Sequence, residues 1–186
     1  MKTESINDYI ECLNNHDFSK IIELKVNKFD SDNKILEVDL NELLYFPNLE
    51  VLTLFNMVLT YDDFKIINKL EKLHTLKLIN CDLMDIIEDT ITVKDLLLDN
   101  TLIETDKLTN INKLVLKNIN INLENFICNE LDISCATITD INNIKANKIY
   151  IKNEQYLSFK KYFDSIKNTT KIIIKDEYDS QVGELK

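Results

Sequence analysis

Apolar residues recur along this chain at one fixed set of offsets. From Leu73 to Leu83 it reads LHTLKLINCDL, with Leu73, Leu76, Leu78, Cys81 and Leu83 at relative positions 1, 4, 6, 9 and 11. The template fits again about every 17 to 28 residues from Leu24 to Ile172. Its triplets at positions 1, 4 and 6 begin with Ile21, Leu24, Val26, then Leu49, Leu52, Leu54, then Leu73, Leu76, Leu78. They continue with Val93, Leu96, Leu98; Ile111, Leu114, Leu116; Cys128, Leu131, Ile133; and Ala146, Ile149, Ile151. A last unit, Lys171 to Lys175, carries Ile172 and Ile174. The alternation within each unit has period two, which predicts a strand. No unit can bury its leucines alone, so the strands are expected to stack into one parallel sheet with a shared core.

Between the strands the pattern changes. Residues 5–14 carry Ile6, Tyr9, Ile10 and Leu13 on one helical face, with Ser5 as N-cap. Such a helix without a preceding strand fits a cap on the open end of a stack. Residues 60–73 predict a helix: Thr60 can cap it, Asp62 and Asp63 suit its first turn, and Phe64, Ile67 and Leu70 make a face. The middle units are too short for more than one helical turn, so extended or 3₁₀ returns are expected. Residues 27–48 are irregular, and Ile35, Leu36, Val38 and Leu40 fit an extra strand or a hairpin. Residues 158–169 predict a closing helix with Phe159, Tyr162, Phe163 and Ile166. The final strand reads as an exposed sheet edge, guarded by Lys171, Lys175, Asp176 and Glu177.

The template LxxLxLxx(N/C)xL matches Leu73 to Leu83 without a gap, so the chain resembles the leucine-rich-repeat superfamily over roughly residues 21–178. The stretch from Ala136 to Ile141, ATITDI, is also similar to the return of bacterial internalin-type repeats. The resemblance implies an α/β fold: a leucine-rich-repeat solenoid with a parallel β-sheet on its concave face, an N-terminal capping helix and a C-terminal helix-plus-strand cap. It implies a single domain over residues 1–186, with the N-terminal cap at 1–20, repeats at 21–156 and the C-terminal cap at 157–186. It also implies a concave face that binds another macromolecule, usually a protein, and it carries over no catalytic residues. One departure stands out. Position 9, where the superfamily keeps an asparagine ladder, holds Met57, Cys81, Thr101, Ile119, Ala136 and Glu154. Asparagines sit one place earlier, at Asn56, Asn80, Asn100, Asn118 and Asn153. Either the strands run two residues further with Asn pointing in, or the asparagines ring the rim and supply turn geometry. The rim reading is preferred.

Composition narrows the function classes. Of 186 residues, 45% are hydrophobic and 29% charged, as in a folded soluble protein. Gly183 and Pro47 are the only residues of their types, so turns with positive φ must use Asn or Asp. All 22 basic residues are lysine, and the net charge is −10. So acidic a chain is a poor general binder of nucleic acid. The start, MKTESINDYIE, does not read as a signal peptide, and no apolar run is long enough to span a membrane. A cytoplasmic placement without membrane attachment is expected, with export as an effector left open.

Catalytic and metal constellations are thin. The histidines are His16 and His74, and one glycine rules out a phosphate-cradling loop. Cys81 and Cys128 fall at inward positions and read as small core residues, while Cys135 takes a slot filled by Asn elsewhere. Asp30, Asp32 and Asn33 make only a fragment of a calcium loop. No enzyme, metal or cofactor is expected.

Positions 3, 5 and 7 should point away from the core. From the second to the fifth strand they include Val51, Phe55, Ile79, Leu97 and Val115, which could form one apolar patch. Toward the C-terminus they bring Lys113, Lys117, Lys148, Lys152, Lys171 and Lys175, with Tyr150 between them. Over all eight strands the face carries eight lysines, with Lys25 and Lys77, against five acids: Glu23, Asp95, Asp99, Glu130 and Asp132. That leaves +3 on the face and about −13 on the rest of the chain. The expected function is therefore non-enzymatic binding of an unidentified partner protein through Val51, Phe55, Ile79, Leu97, Val115, Lys117, Tyr150 and Lys152. Self-association is a further possibility. The alternative is a polyanion or nucleic-acid binder using the basic strip, unless cross-strand pairs such as Glu130 with Lys148 neutralise it.

Overall fold

The computed structural model describes residues 18–29, 38–84, 91–103, 108 and 110–175, and the backbone of 181–185. The expected cap helix at 5–14 lies outside the described residues, as do Ile35, Leu36 and the calcium-loop fragment. The described strands are β1 (Glu23–Asn27), β2 (Val51–Phe55), β3 (Val58–Leu59), β4 (Thr75–Ile79), β5 (Asp82–Leu83), β6 (Asp95–Asp99), β7 (Lys113–Glu124), β8 (Ile127–Asn142), β9 (Lys145–Lys152), β10 (Lys171–Lys175) and β11 (Gln181–Leu185). Eight of them form a parallel sheet in the order β1-β2-β4-β6-β7-β8-β9-β10, and β11 adds antiparallel beyond β10. Strands β3 and β5 pair separately in a two-stranded sheet. The fold is α/β, with a large parallel sheet and few helices.

Register follows the leucines. Leu24, Leu52, Leu76, Leu96, Leu114, Leu131, Ile149 and Ile172 face one another in a single row across the eight strands. Each is at most 1% exposed. A second row runs Val26, Leu54, Leu78, Leu98 and Leu116, and it is equally buried. Burying each such side chain contributes about 1.5–3 kcal/mol, so two unbroken rows dominate the stability of the fold. The small units share a core because parallel pairing puts like positions side by side.

Asparagine turns the chain just after β2, β4 and β6 and part-way along β7. Asn56, Asn80, Asn100 and Asn118 have φ of 57°, 53°, 46° and 51°. Asn tolerates this left-handed region better than most residues, so it does here what glycine does elsewhere. The rim reading of Asn56, Asn80, Asn100 and Asn118 is therefore the observed one. A side-chain ladder forms there all the same: Asn56 Nδ2 donates to Asn27 Oδ1 at 2.9 Å, Asn80 to Asn56 at 3.3 Å, and Asn100 to Asn80 at 3.0 Å. Asn118 donates to Asp99 Oδ1 at 2.7 Å. Asn153 does not belong to this row, because it opens a helix.

The returns match the expectations in kind more than in extent. Helix α1 (Tyr61–Ile67) begins at Thr60, whose backbone N–H donates to Asp63 Oδ2 at 2.8 Å in a capping box. It is shorter than the expected 60–73. After Ile67 the bonds tighten, Leu70 N to Ile67 O and Leu73 N to Leu70 O, which brings Leu70 into the core and leads into β4. In place of an extra strand at Val38 and Leu40, residues Leu40–Tyr45 form a 3₁₀ helix capped by Asp39. The returns after β7 and β8 are extended, as short units require, and they run on as part of the same strands. The expected closing helix at 158–169 is two helices, α2 (Asn153–Ser158) and α3 (Lys160–Ile166). They are broken at Phe159, whose φ of −113° and ψ of 30° are not helical. The break lets both Tyr156 and Phe163 reach the core, with ring centroids 6.2 Å apart. Strand β10 is not the sheet edge, because β11 covers it.

Candidate functional site

The sheet face away from the core is laid out by three rows of outward residues. The first runs Glu23, Val51, Thr75, Asp95, Lys113, Glu130, Lys148 and Lys171. The middle row runs Lys25, Thr53, Lys77, Leu97, Val115, Asp132, Tyr150 and Ile173. The third runs Asn27, Phe55, Ile79, Asp99 and Lys117, and resumes with Lys152 beside Lys175.

All eight candidate residues lie on this face and are half-buried. Phe55 on β2 pairs in register with Ile79 on β4, and Leu97 on β6 with Val115 on β7. The two pairs sit one row apart, so the apolar surface is a diagonal step and Lys77 and Asp99 fill its corners. Val51 stands off from Phe55 by the intervening Thr53.

The basic end is partly neutralised. Lys148 Nζ lies 2.5 Å from Glu130 Oε1, and that hydrogen bond raises the lysine's pKa. Lys175 reaches over β9 to Asp132 at 2.7 Å, with its ammonium 5.2 Å above the Tyr150 ring. Both partners of that pair are nearly buried, at 13% and 14% side-chain exposure. Asp132 Oδ1 also accepts from Ser134 N at 3.1 Å and Ser134 Oγ at 2.7 Å. Lys113, Lys117 and Lys152 make no ion pair among the described residues. Tyr150 and Lys117 are thus brought to one face with the apolar pairs, but Tyr150 lies under the ammonium of Lys175.

Three features here escaped sequence reasoning. Thr53 is 2% exposed although it points away from the core, and its Oγ1 has no hydrogen-bond partner among the described residues. The Asp132–Lys175 pair joins strands two apart in the sheet and 43 residues apart in sequence. Gln155 on α2 donates to the Ile133 and Ala136 carbonyls at 2.6 and 2.8 Å, where the β7–β8 register is irregular. The lysines on either side of Thr53 were the one readable signal.

The thiols and histidine were also placed. Cys81 is buried, and its Sγ lies 3.5 Å from the Leu54 carbonyl. Burial pushes the Cys128 thiol up to about 12, with the nearby Glu130 charge adding to it. Neither thiol is thereby activated, since the thiolate is the reactive form. Cys135 is half-buried, 3.9 Å from Ser134 Oγ. His74 is exposed, with Nδ1 2.9 Å from Thr75 Oγ1 and Nε2 3.7 Å from Glu50 Oε2. Among the described residues no three His, Cys, Asp or Glu side chains group as metal ligands. A second concavity of about 680 Å³ lies between the starts of β8 and β9 and α3, lined by Ile127, Cys128, Ile144, Tyr162, Ile166 and Thr170. Its Tyr162 hydroxyl accepts from Ile144 N at 2.7 Å, so that ring is tied to the fold.

Compared with known proteins, the chain matches no family model, no curated protein and no solved structure. Among the described residues no helix is long and apolar enough to cross a membrane.

Proposed function

We propose that this chain is a leucine-rich-repeat solenoid and a non-enzymatic module that binds a partner protein through the concave face of its sheet. The observation that carries the reading is the pair of apolar contacts, Phe55 with Ile79 and Leu97 with Val115, set in register on the face the core does not use. Half-buried hydrophobic pairs on an open sheet face, bordered by charge, have the make-up of the centre of a protein interface. The repeating register and the asparagine-turned rims support the superfamily assignment. The polyanion alternative has its own support in Lys113, Lys117 and Lys152, which make no ion pair among the described residues, but the engagement of Lys148 and Lys175 weakens it.

The test is a comparison of partner capture by the wild type and by the Phe55→Asp, Ile79→Asp double variant. Capture is expected to be lost in the double variant while its circular dichroism spectrum and melting temperature stay close to wild type. Retained capture by a folded double variant means the face has been misassigned. For the alternative, binding of single-stranded nucleic acid that weakens steeply with salt is required, and its absence removes that reading.

A further inference from the structure

We propose that the middle row of the sheet face is a seat for a carboxylate side chain, so that the partner presents an extended, acidic and apolar polypeptide segment. This rests on the reading that the face binds a protein, and it names the chemistry of the partner. The starting point is Thr53. It is 2% exposed, and its hydroxyl has no hydrogen-bond partner among the described residues. A buried hydroxyl without a partner is costly, and native structures rarely retain one without a use.

Its neighbours show what it would accept. In register, Lys25 on β1 and Lys77 on β4 flank Thr53 on the same face, each about 4.8 Å away across the sheet. Neither lysine makes an ion pair among the described residues. Two lysines in register on either side of one hydroxyl offer a donor set for a carboxylate, which accepts several hydrogen bonds at once. A rotation between staggered χ1 positions exchanges the methyl and hydroxyl of a threonine, and lysine stems are flexible, so the seat can open without moving the backbone.

The second half of the match is apolar. Phe55 lies two residues along β2 from Thr53, beside Ile79. Residues two apart on a strand point the same way and are about 6.6 Å apart. An extended segment with a carboxylate two positions from a large apolar residue meets both subsites at once. A free inorganic anion uses only the first, and a nucleic acid offers the second no aliphatic side chain. The lysines set the sign, because the chain as a whole is at −10 while this seat is cationic.

The intact chain is titrated with a labelled extended peptide carrying glutamate two positions from leucine, with its glutamine counterpart, and with inorganic phosphate as competitor. The glutamate peptide is expected to bind about tenfold more tightly than the glutamine one, with the preference falling as salt rises. Thr53→Val and Lys77→Gln should each remove most of that preference. Because the wild-type hydroxyl has no hydrogen-bond partner among the described residues, Thr53→Val should melt at or above the wild-type temperature. Equal binding of the two peptides, or of neither, overturns the proposal, as does a Thr53→Val variant that melts lower or keeps the glutamate preference. Phosphate that displaces the peptide at equal concentration overturns the peptide assignment. Suppose Phe55→Asp, Ile79→Asp abolishes partner capture while Thr53→Val, Lys77→Gln leaves it intact. The carboxylate seat then fails and the face reading stands. Capture that survives both pairs of changes ends both.

Discussion

At the scale of single residues, position 9 is the most instructive place in the chain. Where an asparagine ladder would be expected inside the turn, Cys81 and Thr101 provide short donors instead. Thr101 Oγ1 accepts from Cys81 N at 3.0 Å and lies 3.3 Å from the Leu78 carbonyl. Cys81 Sγ repeats that geometry on the Leu54 carbonyl, one strand earlier. A buried thiol and a buried hydroxyl thus each bond to the backbone of the preceding unit, while the asparagines one place before them turn the chain outside. Thr101 is fully buried, and its hydroxyl also lies 3.1 Å from the Asp99 carbonyl, so Thr101→Val keeps the shape and removes every bond of that hydroxyl. It is expected to cost about 1–3 kcal/mol, read as a lower urea midpoint at unchanged m-value. A midpoint equal to wild type means that the hydroxyl bonds carry no net stability. The identity of position 9 was legible in the sequence, and its hydrogen bonds were not, because they depend on the backbone of a neighbouring unit.

At the scale of elements, the sheet is tied together at its C-terminal end by contacts that pass over a strand. Lys175 on β10 reaches Asp132 on β8 above Tyr150 of β9, and Gln155 of α2 closes the carbonyls freed where β7 and β8 lose register. Breaking one side of a nearly buried ion pair leaves the other charge poorly solvated. Lys175→Met is therefore expected to cost about 2 kcal/mol, and a Asp132→Asn, Lys175→Met double variant should recover part of that in chemical denaturation. Strict additivity of the two changes is the result that denies the coupling. The start of helix α1 was legible from Thr60, Asp62 and Asp63, because capping is local, while its end was not. The break at Phe159 was not, because it follows from where Tyr156 and Phe163 must both meet the core.

At the scale of the molecule, one parallel sheet carries the core on one side and a mixed apolar and charged surface on the other. The first core row crosses all eight parallel strands without interruption from Leu24 to Ile172, so damage in the middle cannot stay local. Leu116 is 1% exposed and faces Leu98. Leu116→Asp is expected to abolish the cooperative unfolding transition, since a buried carboxylate without a partner costs several kcal/mol. A variant that still melts as a single sharp transition contradicts the shared core. The outward face tolerates change by the same logic, which is why charge at Phe55 and Ile79 tests binding without testing folding.

The sequence by itself determined where the eight parallel strands run and which side chains at positions 4 and 6 enter the core, and it preferred a rim of asparagines that bend the chain. These depend on period-two alternation and turn chemistry, which act over a few residues. Tertiary structure alone decided that Lys148 and Lys175 are paired, that Thr53 lies buried with an idle hydroxyl and that β11 shields β10. Units of unequal length bring distant residues side by side, and a charge or a hydroxyl gains its meaning from the neighbour it is given.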